Sequence, residues 1–211
     1  TIPGLYAAGD MASVPHNYML GAFTNGAVAG EHSADWIRDV DFAAYDEEAV
    51  VAEQARVLAP TKREDGIPPN QIEYKTRRMV NDYLQPPKVT RKMEIGLRRF
   101  DEIAEDITHL HARNPHELMR AMEVSFIRDC AEMAARASLF RTESRWGLYH
   151  HRVDHPERDD ANWFCHTRLY KDAHGAMASR KQAVEPYVIP VDVQGVGKAN
   201  SYAHLRIPQA A

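Results

Sequence analysis

Apolar residues recur every three or four positions through the middle of the chain, and this period predicts three helices. The first covers residues 70–84 and stops before a pair of prolines. The second starts at Thr90, whose hydroxyl can cap a helix, and the third starts at the capping box Asn114-Pro115-His116-Glu117. Short connections join the helices, so we expect them to pack side by side as a small bundle.

The same spacing predicts which face of each helix is buried. On the second helix the apolar positions are Met93, Leu97, Phe100, Ile103, Ile107 and Leu110. On the third helix they are Leu118, Met122, Phe126, Cys130, Met133, Ala137 and Phe140. This assignment makes Cys130 a core residue.

The chain opens with a different pattern. The stretch "IPGLYAAGD" is a short apolar run ending at Gly9 and Asp10, and a polar loop with His16 follows. Residues 21–40 then mix small and larger apolar side chains, which predicts a helix that needs close neighbours. Residues 46–58 are predicted to form a surface helix. A chain that begins at Thr1 with a strand and a helix start is expected to be part of a longer protein.

Regular periodicity fails after Arg141. Residues 142–168 hold two tryptophans, four histidines and many opposed charges, so we expect side-chain pairing to order this segment. Two short strands are predicted within residues 169–184, on either side of "KDAHG", and residues 185–193 are predicted to be extended. The tail after Gly195 is predicted to be loosely held.

Composition narrows the range of partners and surroundings. Charged residues make up 27% of the chain and the net charge is -4, which argues against nucleic acid and membrane surfaces as partners. No stretch is apolar enough to predict a membrane span. The two cysteines fit a reducing compartment, so we expect a cytoplasmic protein.

Histidines near the carboxyl-terminal end raise the possibility of a metal site. His150, His151 and His155 lie close together, and Cys165 and His166 follow. Neither a C-x-x-C pair nor a helical H-x-x-x-H pair is present, so no metal site is predicted. The alternative is that these histidines pair with the neighbouring carboxylates.

A second candidate site lies in the opening stretch. The carboxylate of Asp10, at the end of a predicted strand, can accept hydrogen bonds from ribityl or ribose hydroxyls. The amides at the start of the following helix present a positive dipole to an electron-rich ring. This chemistry suits a flavin, although a strand, Gly-Asp and a helix is equally the pattern of any alternating strand and helix fold.

Two motifs resemble the succinate dehydrogenase and fumarate reductase flavoprotein superfamily. "IPGLYAAGD" is similar to its second FAD motif, and "RTESRWGLYHHRVDHPERDDANWFCHT" is similar to its carboxyl-terminal signature. The resemblance implies an α+β fragment: residues 1–45 end an FAD-binding α/β domain, residues 46–141 form a three-helix-bundle domain, and residues 142–211 form the signature segment with short strands and a tail. A missing amino-terminal portion would carry the first glycine-rich phosphate loop.

Within the superfamily, the loop resembles the adenylylsulfate reductase alpha-subunit branch. There Gly-Asp is followed by a loop with a histidine and then by a Gly-small-Phe-Thr helix start, which here are His16 and residues 21–24. No arginine occurs between Asp10 and Arg38, which disfavours a dicarboxylate substrate. His16 is therefore predicted as the active-site residue, the alternative being a loop histidine that only bonds its surroundings. The predicted flavin contacts are Gly9, Asp10, Gly21, Ala22, Phe23 and Thr24.

The resemblance implies an FAD-dependent oxidoreductase that moves a hydride or two electrons between a small-molecule substrate and the flavin. An iron-sulfur subunit is the expected electron partner, and it could hold the protein at the periphery of the inner membrane. The alternative function is a helical interaction module that docks an iron-sulfur or assembly partner without completing a flavin site. The signature charges are expected to form a structural network, and they are Glu143, Arg145, Arg152, Asp154 and Asp159.

Overall fold

The computed structural model describes residues 2–12, 18–41 and 44–184. They form two compact units, and the boundary between them falls after Ala52. The helices are α1 (Met19–Trp36), α2 (Glu47–Leu58), α3 (Pro69–Tyr83), α4 (Thr90–Thr108), α5 (Pro115–Phe140) and the short α6 (Asp160–Trp163). The strands are β1 (Cys165–Lys171) and β2 (Met177–Ala183), and single 3-10 turns occur at Gly9–Met11, Ala59–Lys62 and Gly147–Tyr149.

Helices α3, α4 and α5 pack against one another around a common apolar core. Their observed ends lie within two residues of the predicted ends, because the proline breaks and the Asn114 cap are local signals. The Asn114 side chain accepts the Glu117 amide at 3.0 Å, as a capping box requires. The core is built from Ile72, Met79, Leu84, Met93, Phe100, Ile103, Leu110, Ala121, Val124 and Ala135.

The buried face of α5 is not the predicted one. Ala121, Val124 and Ala135 face the core, whereas Cys130 is exposed and Phe126 is 60% exposed. The remaining members of the predicted stripe are exposed or only partly buried, and α5 packs on the core mainly through these three smaller side chains. The assignment of Cys130 to the core is therefore wrong.

The buried face of α5 contains an ion pair, and for this reason it is difficult to recognise in the sequence. Glu132 is buried on that face, 2.7 Å from Arg128 and 2.6 Å from Arg136. The Arg128 guanidinium also lies over the ring of the buried Phe100. The sequence gives a charged residue the same polar character whether it is exposed or buried with its partner. The packed face of α5 is therefore not predicted as an apolar stripe.

The β1 and β2 strands form an antiparallel hairpin, and Asp172 organises its turn by accepting the amides of His174 and Ala176 at 2.8 and 2.9 Å. The predicted pair of strands is confirmed, although β1 begins four residues earlier than predicted. The predicted extended piece at residues 185–193 and the predicted loose tail after Gly195 lie outside the described residues. No helix in the described ranges has the length and apolar character needed to cross a bilayer.

Two phenylalanines test the assignment of faces. Phe100→Ala removes a fully buried ring and should lower the free energy of unfolding by about 3–5 kcal/mol. Phe126→Ala removes an exposed ring and should change it by less than about 0.5 kcal/mol. Urea unfolding of the two variants measures the difference. A loss for Phe126→Ala comparable to that of Phe100→Ala would show that the predicted face was the correct one.

Candidate functional site

The residues that end the opening segment are held against the first turn of α1. Gly9 is buried and has a φ of +65°, which favours glycine over other residues. A Cβ atom at Gly9 would lie 3.2 Å from the Cβ atom of Ala22. Any larger residue at position 9 would therefore move Asp10 away from the helix.

The opening segment runs back along α1 and is fixed at two further points. The Tyr6 hydroxyl and the His32 Nδ1 atom form a 2.8 Å hydrogen bond. Gly4, with a φ of +78°, lies under the ring of Trp36, and a Cβ atom there would lie 3.0 Å from the ring. The predicted strand is not formed, since residues 2–8 have no paired neighbour strand among the described residues.

The amino-terminal end of α1 offers hydrogen-bond donors. The α-helical ladder begins with the Ala22 amide, which donates to the Tyr18 carbonyl, so the amides before it have no acceptor within the helix. The side chain of the N-cap residue Tyr18 does not cap this end. The Thr24 hydroxyl donates to the Leu20 carbonyl at 2.9 Å and keeps its lone pairs for a further partner.

Asp10 complements these donors. Its side chain is exposed and forms no hydrogen bond or ion pair with any residue in the described part of the chain. The turn thus places a carboxylate acceptor beside a row of amide donors, an arrangement suited to a ligand that carries both hydroxyls and negative charge. The structure brings Gly9, Asp10 and the predicted residues 21–24 into one unit, and the predicted catalytic His16 lies outside the described residues.

A second cluster of charges orders the segment after α5. Glu143 is completely buried, and its carboxylate is 2.5 Å from Arg141 and 2.6 Å from Arg145. It also accepts the Asp159 amide at 2.9 Å. The Arg145 guanidinium also forms an ion pair with the Asp160 carboxylate at 2.5 Å. Of the predicted network, Glu143 and Arg145 are paired here. The Asp159 carboxylate instead caps α6 by accepting the Asn162 amide at 3.1 Å.

Arg152 and Asp154 join the ends of two helices, and we call this pair the helix-end clamp. Arg152 is buried and donates to the carbonyls of Ser138 and Arg141, both at 2.9 Å, at the end of α5. Its guanidinium binds the Asp154 carboxylate at 2.9 and 3.0 Å. Asp154 in turn accepts the Thr90 amide at 3.0 Å, together with the Thr90 hydroxyl.

The clamp corrects the predicted role of Thr90. Thr90 is the first residue of α4 rather than its cap, and the capping carboxylate comes from Asp154, far along the chain. Each charge of the clamp has the sign that its helix end favours, a cation at the carboxyl end of α5 and an anion at the amino end of α4. Hydrogen bonds from Arg152 hold the pKa of Asp154 well below its usual range.

Of the histidines in this segment, His150 is hydrogen-bonded to the backbone at the end of α5. Burial, with Lys88 nearby, lowers the pKa of His150 to about 4, and its Nε2 atom lies 3.3 Å from the Arg141 carbonyl oxygen. His150 is therefore neutral at pH 7. In the described ranges, no three His, Cys, Asp or Glu side chains converge where an ion could bind.

Comparison by sequence relates this chain to flavoproteins. A family model described as "Fumarate reductase flavoprotein C-term" matches residues 74–196. The succinate dehydrogenase flavoprotein subunit of Coxiella burnetii is 26% identical over 187 residues, which cover 82% of this chain and 32% of that protein. The chain thus spans about a third of the length of this relative.

Solved structures show the same fold. Adenylylsulfate reductase from the hyperthermophilic Archaeoglobus fulgidus superposes with a TM-score of 0.73 at 26% identity, over 80% of this chain and 30% of that one. The Sdh1 complex of Mycobacterium smegmatis gives a TM-score of 0.73 at 25% identity, over 91% of this chain and 34% of that one. These comparisons confirm the superfamily that the two motifs indicate.

The clamp predicts how stability depends on pH. The folded chain keeps Asp154 ionised at pH values where the unfolded chain, with an aspartate pKa of about 3.9, binds a proton. Its contribution to the free energy of unfolding should therefore be complete above about pH 5 and decline as the pH falls further. At pH 7, Asp154→Asn should cost about 1–3 kcal/mol and flatten this part of the pH profile.

Urea unfolding between pH 7 and pH 3 measures both effects. Asp129→Asn is the matched control, because Asp129 is an exposed carboxylate that pairs with its sequence neighbour Arg128 at the surface. The role given to the clamp would be contradicted if the control lost as much free energy of unfolding at pH 7. It would also be contradicted if the free energy of unfolding of Asp154→Asn fell with pH as steeply as that of the parent.

Proposed function

Since this chain belongs to the fumarate reductase flavoprotein C-terminal family, we propose that it forms the carboxyl-terminal part of an FAD-dependent oxidoreductase. The enzyme transfers a hydride or two electrons between a small-molecule substrate and FAD. The observation that carries this proposal is the turn at Gly9 and Asp10, which packs on the first turn of α1 and sets a carboxylate acceptor near amides that have no acceptor within the helix.

The residues of this turn fit the flavin end of FAD in their chemistry. The ribityl chain carries hydroxyls, and Asp10 is an exposed carboxylate with no partner among the described residues. The ring edge is electron-rich and the amides of α1 are donors. Gly9 keeps the two groups together because a side chain there would collide with Ala22. Residues 21–24 supply the small Gly21 and Ala22, the exposed Phe23 ring and the Thr24 hydroxyl.

FAD, when bound, supplies the acceptor for a hydride or an electron pair. We assign to Asp10 the holding of a ribityl hydroxyl, and to the first amides of α1 the stabilisation of negative charge on the ring edge. His16 is the candidate for binding or polarising the substrate, or for moving a proton. The bundle and the signature segment act as the rigid frame.

The absence of arginine between Asp10 and Arg38 leaves this loop without the bidentate cation that suits a carboxylate, so we propose a substrate other than a dicarboxylate. The relative from Coxiella burnetii is named a flavoprotein subunit. That name supports a second subunit as partner, and an iron-sulfur protein is the class that would accept electrons from a flavin.

The exposed apolar stripe on α5, which includes Phe126 and Met133, supports a second candidate function. In this alternative the chain is a helical interaction module that docks an iron-sulfur or assembly partner and completes no flavin site. The visible absorption of the purified flavoprotein that carries this chain separates the two functions. Bound flavin that depends on Asp10 supports the first, and flavin bound independently of residues 9–24 supports the second.

Asp10→Ala tests the proposed flavin contact. Loss of a charge-assisted hydrogen bond costs about 1.5–3 kcal/mol, so flavin retention should weaken roughly ten- to a hundredfold while the fold survives. Flavin content after dilution and gel filtration measures this. Asp35→Ala, on the last turns of α1, is the control and should retain flavin. Unchanged flavin content in Asp10→Ala would reduce Asp10 to a residue that only ends the turn.

His16→Ala and His16→Gln test the active-site role. If His16 binds substrate or moves a proton, His16→Ala should lower turnover per bound flavin by about 10²- to 10⁴-fold, with flavin still bound. His16→Gln keeps hydrogen bonding but carries no proton. It should restore activity if His16 only binds substrate and fail to do so if His16 transfers a proton.

Turnover per flavin, measured against an acceptor that the parent enzyme uses, decides between the roles. His174→Ala, in the exposed turn of the hairpin, is the control and should keep normal turnover. If His16→Ala stays within about twofold of the parent, His16 has no part in the mechanism.

A further inference from the structure

One face of the β1–β2 hairpin is exposed and carries positive charge that no carboxylate in the described part of the chain pairs with. Alternate residues of a strand share a face, and the register of the two strands defines this one. We call it the basic face, and its residues are His166, Arg168, Tyr170, Ala178, Arg180 and Gln182. It holds two arginines and no carboxylate.

The two arginines lie directly opposite each other. Arg168 pairs with Arg180 in the register of the hairpin, and both are exposed. Like charges in this position destabilise a strand pair. Neither guanidinium forms an ion pair with a carboxylate anywhere in residues 2–12, 18–41 or 44–184. The hairpin thus maintains a repulsion that most substitutions at either position would remove.

Charge elsewhere in the hairpin does not neutralise this face. Its only carboxylate, Asp172, is used by the turn amides. Lys181 points to the opposite side, where it lies 3.7 Å from the centre of the Trp163 ring and donates to the Asn162 carbonyl. The strands and their turn hold four Lys and Arg residues and one Asp, in a chain whose net charge is -4. Positive charge is therefore concentrated here.

We propose that the basic face docks a carboxylate-rich segment of a protein partner. Paired guanidinium groups match carboxylates in geometry, since each presents a planar fork of donors. Arg180 lies over the Tyr170 ring at 5.3 Å, which orients one fork in advance. The proposal is independent of flavin binding, because it concerns a surface on the carboxyl-terminal hairpin.

The same features disfavour nucleic acid as the occupant. Arg180 covers the Tyr170 ring, which leaves the single His166 imidazole as an open ring of this face, fewer than a row of stacked bases needs. The net negative charge of the rest of the chain also repels a phosphate backbone. A carboxylate segment needs contact with the two arginines only.

Fluorescence anisotropy with a labelled oligo-glutamate peptide tests the proposal at low ionic strength. Arg168→Ala combined with Arg180→Ala should weaken binding by roughly tenfold or more, and added salt should weaken binding to the parent chain. The control combines Arg77→Ala with Arg99→Ala, which removes two exposed arginines that already pair with carboxylates on the bundle. It should stay within about twofold of the parent.

Arg180→Glu separates binding from folding. It places opposite charges across the strand pair, so the melting temperature should hold or rise while peptide binding is lost. A lower melting temperature for Arg180→Glu would contradict the repulsion inferred between Arg168 and Arg180. The proposal is overturned if the double variant binds the peptide as the parent does, if the control loses as much, or if a short DNA duplex binds the parent more tightly than the peptide.

Discussion

The buried guanidinium of Arg152 is the interaction on which the carboxyl-terminal unit depends. It is almost completely inaccessible to solvent, and its donors are divided between the last carbonyls of α5 and the carboxylate of Asp154. A cation buried in this way is costly unless every donor is satisfied. The chain therefore has to bring the end of α5, the start of α4 and the segment after α5 to one place.

Glu143 imposes a similar constraint on the segment after α5. Its carboxylate is fully buried and is balanced by Arg141 and Arg145, and Arg141 also donates to the carbonyls of Trp163 and Cys165. The backbone of β1 is thus tied to the end of α5 through side chains. This explains how a segment without helical or strand periodicity has a defined path, and why replacement of one charge would leave its partner buried and unpaired.

The sequence predicts the helices of the bundle well because their signals are local: a capping box, proline breaks and an apolar period. It fails where the determining partner is distant. Thr90 looks like a cap, yet Asp154 supplies the capping carboxylate from 64 positions away. The predicted buried face of α5 is wrong because Glu132, which is buried beside Arg128, has the polar character that predicts an exposed residue. The residues of the candidate cofactor turn are also close in sequence, and they lie in one unit of the structure. The role of His16 stays a prediction.

The two units carry their polar groups in opposite ways, and this difference bears on function. In the carboxyl-terminal unit the buried charges of Glu143 and Arg152 are satisfied within the chain, which is the condition for a rigid frame. In the amino-terminal unit Asp10 is exposed, α1 has no buried residue, and its N-cap residue makes no side-chain capping bond. A carboxylate that has no partner in the described ranges, beside a strictly positioned glycine, is suited to an external ligand. The division is therefore between a unit whose buried charges satisfy one another and a turn whose exposed acceptor suits the cofactor proposed above.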